Sequence, residues 1–368
     1  MKLRYKIAGG FLVVLTLALS ALAYTVSHNE ACEPVPVIAG DTELMNAIIY
    51  RCYGSADVLE LEEIEKPVPA DSEVLVKVKA AAVNPLDWHY MRGSPYIMRL
   101  MGVGIGKPKN TRLGTDFAGT VEAVGGKVTQ FKLGDRVFGG ASGAFADYVT
   151  IAEDKGLVLK PANMSFEQAA STPIAAITAL QALRDKGQIK PGQKVLINGA
   201  SGGVGTFAVQ IAKSYGVEVT GVCSGRNEEL VKSIGADHVI NYKQQNYTEL
   251  GKKYDLIIDM VGNHDLSANR KVMVPEGKLI MIGGAKGNWI APLMNPIKAM
   301  MYSPFVEQEF VMFISKMRKQ DLAVLGELMA SGEVTPVIDR SYTLKDLPAA
   351  IRYSEEGHAR GKIIITMD

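Results

Sequence analysis

This sequence of 368 residues contains little cysteine and almost no excess of either charge. Three cysteines occur, Cys32, Cys52 and Cys223, and none of them forms a Cys-x-x-Cys pair. The pattern therefore predicts neither a thiolate zinc site nor a disulfide framework. The five histidines are scattered along the chain without the spacing of metal ligands. We accordingly predict no metal site.

The near-zero net charge argues against a nucleic-acid-binding protein. The chain carries 40 Lys and Arg residues against 39 Asp and Glu residues, for a net charge of +1. No basic run or aromatic platform suits a nucleic acid, so we expect no such partner. An apolar content of 47% and a charged content of 21% are typical of globular proteins. A chain of this length is too long for one ordinary core, which favours two domains.

The most informative stretch, residues 194–226, reads as strand, glycine-rich turn, helix and second strand. This order is typical of a dinucleotide-binding unit, in which the N-terminus of the helix faces a pyrophosphate. The candidate cofactor-binding residues of the turn are Ala200, Ser201, Gly202, Gly203, Val204 and Gly205. Gly202 leaves room for the pyrophosphate, and Gly205 lets the helix pack tightly on its strand. The alternative is a glycine-rich turn that binds no ligand.

The end of the second strand indicates which dinucleotide is bound. NAD sites usually place an acidic residue there to bind the ribose 2′-hydroxyl, but this chain has Ser224, followed by Arg226. A carboxylate would repel a 2′-phosphate, whereas a hydroxyl and a guanidinium attract one. The sequence therefore favours NADPH. Alternatively, Arg226 only begins the next helix on a solvated face.

The N-terminus predicts a membrane anchor. Lys2, Arg4 and Lys6 precede twenty uncharged residues, 7–26, which at about 1.5 Å per residue just span a bilayer core of about 30 Å. A cleaved secretory signal within residues 1–30 is the alternative, because residues 21–23 resemble a cleavage site. The first charges after the span are acidic, so the positive-inside rule places the body outside the cytoplasm. Dependence on NADPH argues for the opposite side.

The remaining chain predicts two domains of α/β class. Residues 44–164 are rich in short strands, residues 165–307 alternate strand and helix as in a doubly wound parallel sheet, and residues 308–368 return to mixed character. The last segment is too short for a core of its own. We therefore expect it to rejoin the first domain.

Five motifs, in the expected order, carry a resemblance to a known family. They are Asn84-Pro85-Leu86-Asp87, the segments 114–119 (GTDFAG), 134–137 (GDRV) and 200–205 (ASGGVG), and 357–362 (GHARGK). Residues 44–368 thus resemble the zinc-independent quinone oxidoreductase branch of the medium-chain dehydrogenase/reductase superfamily. The resemblance implies a GroES-like catalytic domain (44–164 and 308–368) interrupted by a Rossmann NADP-binding domain (165–307). It also implies a homodimer.

Departures from the zinc-dependent branch of that superfamily argue against a metal mechanism. Zinc alcohol dehydrogenases have Cys where this chain has Asn84, and His-Glu where it has Thr115 and Asp116. Catalytic zinc needs three protein ligands and an open position, which these residues cannot supply. We therefore expect no zinc.

The resemblance also implies individual roles at the site. It places Asn84 beside the nicotinamide and Tyr96 near the substrate, where an amide N–H and a phenol stabilise a developing oxyanion. Tyr96 is one residue offset from the tyrosine of the family, so a packing role is an equal alternative. The further implied cofactor contacts are Thr178, Tyr242, Val261, Gly262, Gly283 and Gly284.

Three functions remain open at this stage. The first is an NADPH-dependent oxidoreductase that transfers hydride to a quinone or an α,β-unsaturated carbonyl. Two apolar stretches favour a hydrophobic substrate. The second is an enoyl-thioester reductase that relies on Tyr96. The third, from a different class, is a catalytically silent NADPH-binding sensor or scaffold tethered to the membrane.

Overall fold

The computed structural model describes residues 2–36, 40, 42–284, 287–289, 291 and 294–367, with side chains from residue 13 onwards, that of residue 296 excepted. The helices are α1 (Lys2–Ser27), α2 (Pro85–Arg92), α3 (Phe166–Ala170), α4 (Pro173–Leu180), α5 (Gly203–Ser214), α6 (Glu228–Ser233), α7 (Leu266–Arg270), α8 (Met294–Tyr302), α9 (Lys319–Ala330) and α10 (Leu347–Glu355). The strands are β1 (Leu44–Ile49), β2 (Glu60–Glu65), β3 (Glu73–Val83), β4 (Asp116–Val124), β5 (Arg136–Gly140), β6 (Tyr148–Ala152), β7 (Leu157–Leu159), β8 (Lys194–Asn198), β9 (Glu218–Cys223), β10 (His238–Asn241), β11 (Tyr254–Asp259), β12 (Met273–Met281), β13 (Glu309–Met312), β14 (Ile338–Thr343) and β15 (Lys362–Thr366).

The predicted doubly wound sheet is confirmed. Within the described residues its strand order is β10-β9-β8-β11-β12-β13, and all of its pairings are parallel. The order reverses beside β8, and the crevice outside the carboxyl ends of its strands is where such sheets bind ligands. Strand β13 lies beyond the predicted domain boundary at residue 307, so the parallel sheet extends to Met312.

The second sheet is built from the two chain segments that flank the parallel sheet in sequence. Its strands run β14-β15-β3-β4-β5-β7, and β6 pairs with β3. Strand β15 lies between β14 and β3, with Ile363 opposite Val83. The apolar side chains of β15 are buried, which explains why the last segment returns to this domain. This pairing brings Lys362, the first residue of β15, beside the end of β3.

The N-terminal prediction is supported only as a helix. Residues 2–27 form a 26-residue helix. However, no helix in the part of the chain searched, which omits the side chains before residue 13, is long and apolar enough to cross a membrane. The span predicted at residues 7–26 is therefore not supported, and its residues up to 12 lie outside the described side chains.

The prediction of no disulfide is wrong for one pair. Cys32 and Cys52 are disulfide-bonded, with 4.6 Å between their Cα atoms, whereas Cys223 is free and buried. Cysteine spacing did not indicate the pair because their proximity arises from tertiary structure. The chain leaving α1 returns to the body just beyond β1, where Cys52 lies.

A buried arginine fixes the end of α1 to the loop that follows α2. Arg99 is only 2% exposed, and its guanidinium donates to the carbonyls of Val26 and His28 and to Asn29 Oδ1. A cation at the C-terminal end of a helix is favoured by the helix dipole. The same guanidinium lies 4.9 Å from the ring centre of Tyr96. Arg99 therefore contacts both the C-terminal end of α1 and the loop that carries Tyr96.

Candidate functional site

The glycine-rich turn begins helix α5 at the carboxyl end of β8. Gly202 is the residue before the helix, and no side chain caps the first turn of α5. Because N–H groups at a helix start have no partner within the helix and the helix dipole is positive there, this end of α5 favours an anion. A methyl group added at Gly202 would contact only the Gly199 carbonyl oxygen, at 3.5 Å. Space for a ligand therefore exists next to the backbone.

Gly205 meets a different requirement from Gly202. A Cβ at this position would overlap the Gly199 carbonyl oxygen and lie 2.8 Å from the Cα of Ala200. Both obstacles are backbone atoms, which cannot turn aside as a flexible side chain can. Ala200 and Gly205 are buried, whereas Gly203 and Val204 are half-buried at the turn surface. The protein itself therefore leaves room for a side chain at Gly202 but excludes one at Gly205.

Polar groups order the crevice beside the turn. The amide nitrogen of Asn198 donates to Asp259 Oδ1 at 2.9 Å. The same carboxylate oxygen accepts the N–H groups of Val261, at 3.0 Å, and Gly262, at 2.9 Å. Gly283 donates its N–H to the Asp259 carbonyl at 3.1 Å. Predicted residues from the ends of β11 and β12 are thus brought together, and Gly284 follows them, exposed.

The residues predicted to hold a 2′-phosphate lie at the ends of β9 and β10. Ser224 is half-buried after β9, and Tyr242 donates its N–H to the Cys223 carbonyl at 3.1 Å. The exposed Arg226 donates from Nη2 to the His358 carbonyl at 2.9 Å. Ser201 is 9% exposed and accepts a hydrogen bond from the Asn227 amide at 2.9 Å. Ser201 of the turn, the residues after β9 and the segment preceding Lys362 therefore meet here.

The predicted residue Thr178 lies on α4, 7% exposed. Its hydroxyl donates to the Ile174 carbonyl at 2.7 Å and lies 2.8 Å from the hydroxyl of Ser315. These bonds hold the wall between α4 and the chain after β13.

A buried polar cluster lies where Asn84 was predicted to contact the nicotinamide. Lys362 Nζ donates to Asn84 Oδ1 at 2.6 Å and to the Val83 carbonyl at 3.1 Å, and lies 3.5 Å from Asp116 Oδ2. Asn84 Nδ2 donates to Asp116 Oδ2 at 3.0 Å and to the Ala82 carbonyl at 3.3 Å. Asn84 is 3% exposed and Asp116 is 0% exposed. Both N–H groups of the Asn84 side-chain amide therefore donate to acceptors within the protein.

A second carboxylate lies in the same cluster. Asp87, near the start of α2, accepts the N–H of Asn84 at 2.7 Å and that of Gly114 at 3.1 Å. Burial raises the pKa of Asp87 to about 7, against the effect of those two N–H donors. Burial also raises the pKa of Asp116 and lowers the pKa of Lys362, although mutual attraction opposes both shifts. The cluster is a desolvated group of two acids and one base.

Tyr96 lies apart from the hydrogen bonds of this cluster. Its N–H donates to the Asn288 carbonyl at 2.8 Å, and its ring packs edge-on against Trp289 with 4.8 Å between ring centres. Ser94 also donates to Asn288, through their side chains at 2.6 Å. The loop bearing Tyr96 therefore joins the catalytic domain to the chain that follows Gly284. Tyr96 is half-buried.

Metal-ligating side chains do not cluster in the described residues. No group of three or more His, Cys, Asp or Glu side chains there could hold a metal ion. At Asn84 and Asp116, the neighbouring cation is the ammonium of Lys362. A metal ion at this place would have to displace that ammonium.

Two family models match this chain. Residues 70–162 match the alcohol dehydrogenase GroES-like domain, and residues 234–365 match the zinc-binding dehydrogenase family. A chloroplast envelope quinone oxidoreductase homolog of Arabidopsis thaliana is 34% identical, over 88% of this chain and 98% of that protein. The NADPH-dependent alkenal/one oxidoreductase of the same plant is 32% identical, over 96% of this chain and 88% of that protein.

The chain belongs to the medium-chain dehydrogenase/reductase superfamily. Its relatives place it in the quinone oxidoreductase-like branch, as the motifs predicted. The solved structures agree: the Coxiella burnetii quinone oxidoreductase has a TM-score of 0.78 and 28% identity, covering 89% of this chain and all (100%) of that one. The Escherichia coli quinone oxidoreductase in complex with NADPH has a TM-score of 0.75 and 26% identity, covering 87% and 99%.

Lys362 is the main site residue of this quinone oxidoreductase-like protein that the sequence did not identify. A signal was present, because Lys362 directly precedes the apolar run Ile363-Ile364-Ile365 at the start of a predicted buried strand. Lysine is almost never fully buried without a partner. Asp87 and Asp116 lay within recognised motifs, but their burial depends on strand pairing that sequence spacing does not show.

Proposed function

We propose that this protein is an NADPH-dependent oxidoreductase that transfers hydride to a quinone or an α,β-unsaturated carbonyl without a metal. The observation that carries the proposal is the open space at Gly202, beside uncapped N–H groups at the start of α5. Bound NADPH supplies the hydride. The protein binds the diphosphate at the turn, orients the nicotinamide and excludes water around the buried polar cluster.

The preference for NADPH over NADH rests on Ser224, Arg226 and Tyr242. The Arg226 guanidinium uses one nitrogen for the His358 carbonyl, which leaves further N–H donors for a phosphate. Arg226→Ala should therefore weaken binding of NADPH far more than that of NADH. A control is Arg352→Ala, which removes an arginine paired with Asp57 at the surface. Equal losses for the two nucleotides would refute the assignment.

Independence from zinc is supported by the occupants of the polar cluster. The Lys362 ammonium already provides a positive charge beside Asn84 and Asp116. The Asn84 amide is committed to Lys362 and Asp116, so we assign it a supporting role near the nicotinamide. Tyr96 is the proposed contact to the substrate oxygen. Metal analysis of the purified active protein tests this point, because stoichiometric zinc required for turnover would contradict it.

A hydrophobic substrate is supported by the surface of the loop after Tyr96. Leu100 is 53% exposed, Met101 68% and Ile105 49%. Flexible Met side chains accept varied apolar shapes. The test is turnover of NADPH with a panel of quinones and enones of increasing chain length. Oxidation of no acceptor, with NADPH demonstrably bound, would instead favour the silent sensor or scaffold.

An enoyl-thioester reductase is the second candidate, and the half-buried ring of Tyr96 at the domain junction favours it. Tyr96→Phe separates the candidates. A large loss on enoyl thioesters, with none on quinones, supports the thioester reductase, whereas equal effects support a general role for the phenol.

A homodimer is proposed through the edge strand β13. Met312 is 57% exposed and the following Ile314 is 79% exposed, while Met300 and Phe305 nearby are 79% and 84% exposed. An uncovered apolar edge of this kind marks a pairing surface. Sedimentation of the wild type and of Met312→Lys tests the proposal, because a monomeric wild type would contradict it.

Contact with a membrane is proposed for α1, whose side chains at Val13, Val14, Leu17 and Leu19 are 57–66% exposed. The Cys32–Cys52 disulfide supports a body outside the cytoplasm, because disulfides persist in oxidising compartments. Flotation with liposomes tests membrane contact. A C-terminal reporter that is active only outside the cytoplasm tests the side.

A further inference from the structure

The buried ammonium of Lys362 is fully engaged. Its three donors face Asn84 Oδ1, the Val83 carbonyl and Asp116 Oδ2, at 2.6, 3.1 and 3.5 Å. The residue is only 3% exposed, and no water is needed to satisfy it. A buried cation with this set of partners is expensive to assemble, so its position needs an explanation beyond stability.

Lys362 determines the orientation of the Asn84 amide. If the amide were reversed, its NH₂ group would face the Lys362 ammonium, so that donor would meet donor. Its oxygen would face the Asp116 carboxylate, so that acceptor would meet acceptor. In the observed orientation Oδ1 accepts from Lys362, while Nδ2 donates to Asp116 at 3.0 Å. Lys362 and Asp116 therefore fix the Asn84 side chain from both ends.

The same lysine contacts the cofactor turn. A Cβ at Gly203 would lie 3.1 Å from Lys362 Cδ, so the aliphatic stem runs alongside the first residue of α5. The preceding residue, Gly361, forms a parallel bridge with Gly202. In addition, Asp116 Oδ1 accepts the N–H of Ile174 at 3.0 Å, at the start of the helix that carries Thr178. One side chain thus connects the diphosphate end of the predicted cofactor site with the cluster at Asn84.

We propose that Lys362 is a positioning residue for hydride transfer. It holds the Asn84 side chain in the orientation that positions the nicotinamide, and it fixes the position of Asn84 relative to the turn at Gly202 and Gly203. Lys362 acts through Asn84 and does not itself contact the reacting atoms. The inference rests on the proposed function, because it concerns the geometry of the same reaction.

The first test is a double-mutant cycle on the full chain. Lys362→Met keeps the aliphatic stem against Gly203 but removes the ammonium. The kcat should fall on the order of 100-fold, because the reactants are misplaced, while the Kd for NADPH should change little. Asn84→Ala should cause a similar loss, and the double variant should lose no more than either single variant. Lys127→Met is the control, since that lysine is 75% exposed. Losses that multiply in the double variant would overturn the proposal.

A second variant guards against misfolding. Lys362→Met leaves the buried carboxylate of Asp116 without its cation, which is destabilising. Lys362→Met combined with Asp116→Asn removes both charges and should recover stability, but kcat should remain low because Asn84 Oδ1 has lost its donor. Recovery of kcat together with stability would show that Lys362 only balances charge, and would overturn the proposal.

A readout without turnover separates this inference from the proposed function. The fluorescence emission of bound NADPH reports the surroundings of the nicotinamide. Lys362→Met should shift that emission while NADPH stays bound, and an unchanged spectrum would contradict the positioning role. If none of the acceptors tested supports oxidation of NADPH by the wild type, the proposed function fails. The emission shift still decides the role of Lys362 in that case.

Discussion

Gly202 and Gly205 provide a matched pair of substitutions that separates ligand binding from folding. In Gly205→Ala, the new methyl group overlaps the Gly199 carbonyl oxygen and lies 2.8 Å from Ala200 Cα, so backbone must shift. Overpacking of this kind costs about 3 kcal/mol at the upper end of its range, and the helix propensity of Ala over Gly offsets about 1 kcal/mol. We therefore expect a loss of about 2 kcal/mol in the free energy of unfolding.

Gly202→Ala should have the opposite profile. Gly202 has φ −83° and ψ 179°, which any residue adopts, and its added methyl group would meet protein only at 3.5 Å. Stability should stay constant or rise by up to about 1 kcal/mol. If the diphosphate lies against this backbone, a methyl group there costs 1 to 3 kcal/mol of binding, or roughly 5- to 150-fold in Kd.

The assay combines urea unfolding of the cofactor-free protein with calorimetric titration of NADPH. The reasoning predicts that Gly205→Ala unfolds at lower urea, whereas Gly202→Ala unfolds like the wild type and binds NADPH weakly. If Gly202→Ala bound NADPH as tightly as the wild type, the diphosphate could not lie where we place it. A fully stable Gly205→Ala would refute the packing argument.

Two further predictions concern stability. The Cys32–Cys52 disulfide closes a loop with a sequence separation of 20, so its reduction should lower the free energy of unfolding by about 3 kcal/mol. Cys32→Ser should show the same loss in urea unfolding. A reduced protein as stable as the oxidised one would contradict this. Because the pKa of Asp87 is raised to about 7 in the fold, the folded state holds a proton that the unfolded state releases near pH 4, so stability should fall as pH rises from about 4 to about 7. Asp87→Asn should flatten that part of a urea-midpoint profile, and an unchanged slope would show that another group is responsible.

Local sequence rules were sufficient for the parts of the fold that depend on neighbours in the chain. The turn at residues 200–205, the parallel strands and the family followed from strand and helix periods and from glycine positions, each of which acts within a few residues. The return of β15 followed from a simple core argument. Its consequence for Lys362 did not, because a lysine at a strand start gives no information about which carboxylate the strand will approach.

The remaining misses have the same physical origin. The Cys32–Cys52 pair and the Arg99 contacts to the end of α1 depend on where the chain after α1 meets the rest of the protein. Asn84 was predicted to lie beside the nicotinamide, with an amide N–H free to stabilise a developing oxyanion. Burial beside Asp116 instead engages both N–H groups, and burial is a tertiary property.

The central claim is hydride transfer from NADPH held at the turn of α5. It is tested most directly with the whole chain, NADPH carrying deuterium at both C4 positions of the nicotinamide, and an α,β-unsaturated ketone as acceptor. The account predicts that NADPH is oxidised and that the deuterium appears on the β-carbon of the reduced product. Bound NADPH that is oxidised by neither enones nor quinones, or product without deuterium at that carbon, would contradict it.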